Sequence, residues 1–242
     1  MKGFILAAGI GSRLKPWTDS HPKALAQADG IPMLQRVVEK MYDSGITDIT
    51  VNVYHFAEQI IDFIKTKGWN INISDERPEL LETGGALLYA EKFLTGDEPI
   101  LVHNADILSN ADMRSFEAFH NNHNNDVSLL VSDRDSSRKL IFNNDNRLLG
   151  WHSLKTDEYK PQNFEPKLTD KKLAFSGIYI VSPAIFGEMR TNGFSGRFPI
   201  MDFFLHIPHK INIMGYEQQG LNLLDIGKPE SLARAGKVLN LF

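Results

Sequence analysis

The sequence Phe4-Ile5-Leu6-Ala7-Ala8-Gly9-Ile10-Gly11-Ser12-Arg13-Leu14 decides the fold of this 242-residue chain. Its first five residues are apolar, do not alternate with polar residues, and end at a glycine. Such a run is typical of a strand that is buried on both faces of a parallel sheet. The small and basic residues that follow predict a loop at the carboxyl end of that strand.

Strand and helix patterns alternate along the first part of the chain. Apolar runs predict further strands at residues 49–53, 71–73 and 99–103. Helical spacing of apolar residues predicts helices at residues 32–42, 57–65 and 85–93. This alternation predicts an α/β fold with a doubly wound, mostly parallel sheet and helices on both faces. In such sheets ligands bind at the carboxyl ends of the strands.

From about residue 126 the pattern changes to short strand-like runs. These lie at residues 126–131, 139–142, 174–181 and 221–225. They predict a smaller mixed lobe that contributes one more strand end to the same cleft. We therefore expect one domain, residues 1–242, built from two halves at residues 1–125 and 126–242.

Charge and composition exclude several classes of function. The net charge of −4 argues against binding to a nucleic-acid backbone, which requires basic surface. The absence of cysteine excludes disulfides, thiolate metal sites and cysteine nucleophiles. The N-terminal apolar run is too short for a signal peptide, and no run approaches the roughly 20 apolar residues that span a membrane. We expect a cytoplasmic protein with no nucleic-acid or membrane partner.

The glycine loop fits neither of two common phosphate-binding motifs. Leu14 stands where the dinucleotide fingerprint needs its third glycine, and it also replaces the glycine that precedes the lysine of a P-loop. What remains is a loop of small residues with two cations, Arg13 and Lys23. Its backbone N–H groups could hold an oxyanion, with charge-assisted bonds from the cations. The alternative is a tight turn with two solvated cations.

Several motifs together resemble those of the sugar-1-phosphate nucleotidylyltransferases, which use nucleoside triphosphates to make nucleotide sugars. The matching segments, in the family's order, are Leu6-Ala7-Ala8-Gly9-x-Gly11-Ser12-Arg13-Leu14-x-Pro16, Pro22-Lys23-Ala24-Leu25, Glu82-Thr83-Gly84-Gly85, Asn104-Ala105-Asp106, Phe175-Ser176-Gly177-Ile178-Tyr179 and Asp225-Ile226-Gly227. Two positions depart from the family pattern, since Ala105 replaces a glycine and Lys228 a threonine.

The resemblance implies a Rossmann-like, glycosyltransferase-A-like fold and assigns roles to individual residues. Residues 1–125 become the nucleotide-binding half and residues 126–242 the sugar-phosphate-binding half. The implied catalytic residues are Arg13, Lys23 and Asp106. The implied nucleotide-binding residues are Ala7, Ala8, Gly9, Gly11, Ser12, Arg13, Lys23, Thr83 and Gly84. The implied sugar-phosphate-binding residues are Gly85, Asn104, Ser176 and Gly177.

The resemblance also implies Mg²⁺ as cofactor, held by Asp106 and Asp225, because Mg²⁺ binds through carboxylates and substrate phosphates. Taken singly, each aspartate could equally be a helix cap or a solvated turn residue. Likewise, Thr83 could simply cap the helix that runs to Phe93.

The expected substrates are a nucleoside triphosphate and a sugar-1-phosphate. Within the family, the chain length and the motifs at residues 82–85 and 175–177 most resemble the uridylyltransferases for N-acetylmuramate-1-phosphate in cell-wall recycling. Mannose-1-phosphate guanylyltransferases are the nearest alternative, followed by thymidylyl or cytidylyl transfer, including transfer to phosphocholine. From other classes, a non-catalytic nucleotide-sugar sensor and a dinucleotide-dependent oxidoreductase remain as alternatives.

Three further features are open to two interpretations each. Residues 151–172 are polar and predict either a solvated surface loop or a lid over the acceptor. The apolar segment 198–205 predicts core packing or a dimer face, so that the protein is a monomer or a homodimer. A length of 242 residues leaves no room for the β-helical extension of some relatives, and we expect a single activity.

Overall fold

The computed structural model describes residues 1–227, 230–232 and 235. Its strands are β1 (Lys2–Leu6), β2 (Gln27–Ala28), β3 (Ile31–Pro32), β4 (Ile49–Val53), β5 (Ile71–Asp75), β6 (Ile100–Asn104), β7 (Ile107–Ser109), β8 (Val127–Ser132), β9 (Arg138–Phe142), β10 (Leu148–Ser153), β11 (Glu158–Lys160), β12 (Lys171–Val181), β13 (Ile213–Glu217) and β14 (Leu223–Asp225). Its α-helices are α1 (Met33–Asp43), α2 (Ala57–Thr66), α3 (Glu82–Tyr89), α4 (Met113–Asn122), α5 (Ile185–Thr191) and α6 (Ile200–His206).

The centre of the fold is a parallel sheet of four strands in the order β5-β4-β1-β6. In β1, Phe4 and Ile5 are fully buried on opposite faces, as the unalternating apolar run predicted. The predicted strands at residues 49–53, 71–73 and 99–103 are confirmed as β4, β5 and β6 within two residues at each end. The α/β class with a parallel sheet centre is therefore confirmed.

The second half of the chain extends this same sheet. The long strand β12 pairs antiparallel with β6 through residues 178–181 and with β9 through residues 171–173. Strands β10 and β11 continue the sheet beyond β9, while β8 and β13 branch from β12. The predicted mixed lobe is thus joined to the parallel centre by hydrogen bonds between strands. A separate two-stranded sheet pairs β7 with β14.

Helices cover both faces of the sheet. Helices α1, α2 and α4 pack on the face that contains Ile5, and α3, α5 and α6 pack on the face that contains Phe4. Phe203 and Phe204 of α6 are fully buried within the single chain, which confirms core packing for this segment. None of the helices among the described residues has the length and apolar character needed to cross a membrane.

Two sequence expectations need correction. The helix predicted at residues 85–93 begins earlier, at Glu82, and tightens into a 3-10 turn at Ala90–Phe93. The stretch 151–172 is not a single loop, because Trp151, His152 and Ser153 of β10 pair with β11 and its last two residues begin β12. The polar character of residues 151–172 fits the position of β11, which is the edge strand of the sheet.

Candidate active site

A cavity of about 380 Å³ lies at the carboxyl ends of β1 and β6. Its lining combines the loop after β1, the lysine segment, the start of α3 and the turn after β6. The lining residues are Leu6, Ala7, Ala8, Gly9, Lys23, Ala24, Asn52, Leu80, Glu82, Thr83, Asn104, Ala105, Asp106 and Pro199. Seven of the residues that the sequence singled out therefore meet here: Ala7, Ala8, Gly9, Lys23, Thr83, Asn104 and Asp106.

The loop after β1 is anchored by a side chain from the neighbouring strand. The backbone N–H groups of Ala7 and Ala8 both donate to Asn52 Oδ1, over 2.6 and 3.2 Å. These two N–H groups are thereby occupied within the protein. The expected contact of Ala7 and Ala8 with the nucleotide stays a prediction, and it would not use these two N–H groups.

The two glycines of the loop serve different purposes. Gly11 has a φ of +68°, and a Cβ there would lie 2.8 Å from Thr18 and 2.9 Å from Lys23. The loop can therefore pass closely over Lys23 only because residue 11 is glycine. A Cβ on Gly9, in contrast, would meet no described atom within 4 Å. The space beside Gly9 belongs to the cavity and is open to a ligand.

Lys23 and Asp106 form an ion pair inside the cavity, with the ammonium group donating to Asp106 Oδ2. Both side chains are largely buried. Asp106 follows β6, and the neighbouring Ala105 N–H donates to the carbonyl of Leu6 in β1. Ala105 is not among the residues with positive φ, so its methyl group is accommodated without backbone strain where the family has glycine.

The side chains of Asp225 and Arg13 both approach Gly227, close in the chain to a backbone contact of Asp106. Asp225 pairs with Ile107 in the β7–β14 sheet, and the N–H of Ile226 donates to the carbonyl of Asp106. A Cβ on Gly227 would lie 2.8 Å from Asp225 Oδ1 and 2.9 Å from Arg13 Nη2. The two predicted metal-position aspartates and the loop arginine are therefore neighbours. Lys228, the second departure from the family pattern, lies outside the described residues.

The start of α3 forms the opposite wall of the cavity. Glu82 has a φ of +59° and its carboxylate accepts hydrogen bonds from Arg197. A positive φ at a non-glycine residue is uncommon in proteins as a whole, and the residues that have one cluster at ligand sites. The hydroxyl of Thr83 accepts a hydrogen bond from the N–H of Ile200, at the start of α6. Thr83 therefore caps α6 rather than α3, which corrects the expected capping role.

Gly84 and Gly85 are packed against the protein rather than exposed to the cavity. Their N–H groups both donate to the carbonyl of Phe198, over 2.9 and 3.1 Å. A Cβ on Gly84 would overlap the ring of Phe198, and one on Gly85 would overlap the carbonyl oxygen of Gly196. The small residues at positions 84 and 85 therefore allow close packing of α3, and the expected contacts of Gly84 with the nucleotide and of Gly85 with the sugar stay predictions.

Ser176 and Gly177 lie in β12, behind the cavity. The Ser176 hydroxyl is buried and donates to the carbonyl of Leu130, and its expected contact with the sugar stays a prediction. Gly177 has a φ of +78°, and a Cβ there would lie 2.7 Å from Asn104 Nδ2. Gly177 thus makes room for the side chain of Asn104, which does line the cavity.

Comparison with known proteins agrees with this geometry. Residues 2–240 match the family model described as Nucleotidyl transferase. The chain belongs to the nucleotidyl transferase family. It is 28% identical to mannose-1-phosphate guanyltransferase 2 of Candida glabrata, over 99% of this chain and 65% of that protein. It is 27% identical to the mannose-1-phosphate guanyltransferase of Pichia angusta, over 95% of this chain and 62% of that protein. The chain thus spans a little under two thirds of the length of these relatives.

Solved structures of similar fold include a candidate glucose-1-phosphate thymidylyltransferase from Bacillus anthracis in complex with sucrose. The TM-score is 0.80 at 23% identity, over 98% of this chain and 94% of that one. At this identity the similarity establishes the fold alone. Together with the parallel sheet centre, it confirms the Rossmann-like fold class of this nucleotidyl transferase.

Three residues in or near the site of this nucleotidyl transferase were not predicted from the sequence. Asn52 lines the cavity and holds the loop after β1, and it donates to Glu76 over 2.6 Å. Arg134 donates to the carbonyl of Phe175; burial lowers the pKa of its guanidinium, and the charge of Asp225 acts in the opposite direction. The one available signal was at Asn52, a polar residue within the fully buried strand Ile-Thr-Val-Asn-Val.

The aspartates at the two metal positions have the chemistry that Mg²⁺ requires. Both Asp106 and Asp225 offer hard carboxylate oxygens. Their backbones lie close together, because the N–H of Ile226 donates to the carbonyl of Asp106 and Asp225 pairs with Ile107. In the described part of the chain, no cluster of three or more His, Cys, Asp or Glu side chains is suited to a metal. A Mg²⁺ ion with two protein carboxylates would therefore complete its octahedral shell with phosphate oxygens and water.

Proposed function

We propose that this nucleotidyl transferase catalyses the transfer of a nucleotidyl group from a nucleoside triphosphate to a sugar-1-phosphate. The observation that supports this most directly is the meeting of Lys23, Asp106 and the open side of Gly9 in one cavity. Arg13 and Asp225 lie beside that cavity, next to Gly227. A site with these charges suits two polyphosphate ligands better than a single neutral one.

The reaction needs alignment and positive charge more than it needs a base. An oxygen of the sugar-1-phosphate attacks the α-phosphorus, a new phosphorus–oxygen bond forms, and the bond to the leaving pyrophosphate breaks. Because the attacking phosphate is already anionic near neutral pH, no residue has to remove a proton. The chief difficulty is the approach of two anions, which cationic side chains relieve.

The two cationic residues would bind different phosphate groups of the substrates. Lys23 points into the cavity, where its ammonium group would hold the α-phosphate and the acceptor phosphate. Arg13 stands further along the loop, and its planar guanidinium suits bidentate contact with the leaving pyrophosphate. Asp106 and Asp225 would hold Mg²⁺, which supplies further positive charge to the phosphate oxygens when bound.

For the substrates, the favoured pair is GTP and mannose-1-phosphate. It is supported by the relatives above, which are named as mannose-1-phosphate guanyltransferases. The first expectation from the sequence, UTP with N-acetylmuramate-1-phosphate and a role in cell-wall recycling, has no such support. It becomes the second candidate. The cytoplasmic location and the choice between monomer and homodimer stay predictions.

A substrate grid tests the proposal. Pyrophosphate release is measured with Mg²⁺ for GTP, UTP, CTP, dTTP and ATP against mannose-, N-acetylmuramate-, glucose- and galactose-1-phosphate and phosphocholine. We expect turnover with GTP and mannose-1-phosphate, lost in Asp106→Asn and kept in Asp97→Asn, a change outside the cavity lining. Tight binding of a nucleotide sugar without turnover of any pair would contradict the proposal and support the non-catalytic sensor.

A further inference from the structure

A buried pair of side chains, Asn52 of β4 and Glu76 after β5, connects two segments that border the cavity, the loop after β1 and the start of α3. Asn52 is 2% exposed and Glu76 is 3% exposed. Asn52 Nδ2 donates to Glu76 Oε1 over 2.6 Å, while Asn52 Oδ1 accepts the N–H groups of Ala7 and Ala8. The other carboxylate oxygen, Glu76 Oε2, accepts the N–H of Leu81 over 3.1 Å.

The other side-chain hydrogen bonds of this pair end on backbone that borders the cavity. Ala7 and Ala8 line the cavity on the phosphate-loop side. Leu81 lies between two lining residues on the opposite wall, Leu80 and Glu82. The pair therefore spans the space between the loop that faces the phosphates and the wall formed by the start of α3.

Backbone hydrogen bonds fix the position of Glu76, and so of the pair, relative to β4. The N–H of Glu76 donates to the carbonyl of Val53, and the N–H of Glu79 donates to the carbonyl of Glu76. The wall continues beyond the pair, because the N–H of Phe198 donates to the carbonyl of Leu81. A shift of Asn52 or Glu76 would therefore be passed to both walls of the cavity.

Among the residues that the structure describes, no cation pairs with Glu76, and burial of its carboxylic acid has a cost that the hydrogen bonds offset. Burial raises the pKa of Glu76, while the amide of Asn52 and the N–H of Leu81 act in the opposite direction. An apolar pair would fill the same space without this cost, so packing alone does not account for these two residues.

We propose that Asn52 and Glu76 are positioning residues that set the distance between the phosphate loop and the wall at residues 80–83, and thereby the affinity for the nucleoside triphosphate. This inference rests on the proposed function, since it concerns the same cavity. Neither residue takes part in the chemical step. Their contribution is to hold the two walls in the geometry that a bound nucleotide requires.

The hydrogen-bond pattern of the pair allows a test by exchange of the amide and the carboxylate. In Asn52→Asp two carboxylates face each other, and the repulsion between them breaks their contact. In Glu76→Gln an amide faces either the Asn52 amide or the Leu81 N–H, so that one donor loses its acceptor.

In the double variant Asn52→Asp/Glu76→Gln the contacts are restored in reverse. The new carboxylate at position 52 accepts from Ala7 and Ala8 and from the new amide at position 76. The carbonyl oxygen of that amide accepts from Leu81. All donors again have acceptors, and the exchange changes neither net charge nor side-chain size appreciably.

We expect each single variant to raise the KM for the nucleoside triphosphate about 10- to 100-fold, with the KM for the sugar-1-phosphate changed less than about twofold. We expect the double variant to recover to within about threefold of the parent protein. Matched controls are Thr50→Val and Ser74→Ala, because both hydroxyls are buried in β4 and β5 without a partner among the described residues. Both controls should leave the two KM values unchanged.

Calorimetric nucleotide binding and hydrogen exchange at the amides of Ala7, Ala8 and Leu81 are measured in parallel, because neither needs turnover. Inactivity of the parent protein with every substrate pair overturns the proposed function, and the hydrogen-exchange data still test the Asn52–Glu76 pair.

If a single variant does not fold, the inference is judged on the double variant alone. Parent-like affinity and amide protection in the double variant support the inference. A double variant that folds but binds nucleotide as weakly as a folded single variant, or more than threefold more weakly than the parent, overturns it. Single variants that retain parent-like nucleotide affinity overturn it as well.

Discussion

The ammonium group of Lys23 is bonded to the carboxylate of Asp106, although 83 residues separate the two along the chain. Lys23 belongs to a short turn after the glycine loop, and Asp106 to the turn after β6. Since both are more than half removed from solvent, their attraction is screened less than that of a surface ion pair. The ion pair therefore fixes the positions of the ammonium group and the carboxylate in the cavity before a ligand binds.

Loss of either partner should remove activity without unfolding the protein. We expect Asp106→Asn and Lys23→Met each to lower kcat by about 10²- to 10³-fold, the usual effect of removing one electrostatic group from a preorganised site. Steady-state kinetics measure this effect, with Lys15→Met as control because Lys15 pairs with Asp19 and is well exposed. Equal loss in the Lys15 variant would refute a specific role for Lys23.

A methyl group on Gly9 should weaken nucleotide binding and leave stability unchanged. A Cβ there would meet no described atom, so we expect the free energy of unfolding of Gly9→Ala to stay within about 0.5 kcal/mol of the parent value. The KM for the nucleoside triphosphate should rise about tenfold or more, because the methyl group enters the ligand space. Urea unfolding and kinetics measure the two quantities. An unchanged KM would mean that the ligand does not approach Gly9.

The same substitution at Gly84 should have the opposite effect. A Cβ there would overlap the buried ring of Phe198, and we expect Gly84→Ala to lower the free energy of unfolding by about 2 kcal/mol. Urea unfolding measures this loss. Gly187→Ala is the control, because Gly187 lies exposed in α5 with no described neighbour within 4 Å of the added methyl group. A Gly84 variant as stable as this control would contradict the packing role.

The buried His120 should make stability depend on pH in the acid range. Burial lowers its pKa to about 4 from 6.5, and its ring contacts the hydroxyls of Ser128 and Ser182. Between these two pH values the unfolded chain binds more protons than the folded one. The free energy of unfolding therefore decreases as the pH falls from about 6.5 to about 4.

In His120→Asn this part of the pH dependence should disappear, reducing the slope by up to about 1.4 kcal/mol per pH unit. Urea unfolding at a series of pH values measures the slope, and His209→Asn, at an exposed position, is the control. An unchanged slope in the His120 variant would show that the folded protein does not keep this ring neutral.

The sequence was sufficient for those parts of the fold that depend on local pattern. Residues 49–53 are fully buried, and the β-branched residues Ile49, Val51 and Val53 identified β4 to the residue, although Asn52 is polar. The loop glycines, Lys23 and Asp106 were found because they follow buried strands or match a family motif. Such signals depend on neighbours in sequence, which one chain displays directly.

Other features of the site depend on partners that are distant in sequence. A side chain at position 84 would overlap the ring of Phe198, and no local pattern contains that contact. Likewise, only the register of β12 shows that the hydroxyl of Ser176 donates to the carbonyl of Leu130. Asn52 acquires its role only once β4 is paired with β1, which brings it beside Ala7.

The backbone contacts between α3 and Phe198 limit which parts of this protein can be exchanged with those of a relative. The N–H groups of Gly84 and Gly85 and the carbonyl of Leu81 all bond to the backbone of Phe198, which lies in the second half of the chain. Residues 1–125 and 126–242 are therefore not exchangeable modules. A swap of residues 126–242 with those of a relative would remove the packing partner of α3 and disturb the cavity wall that the start of α3 forms.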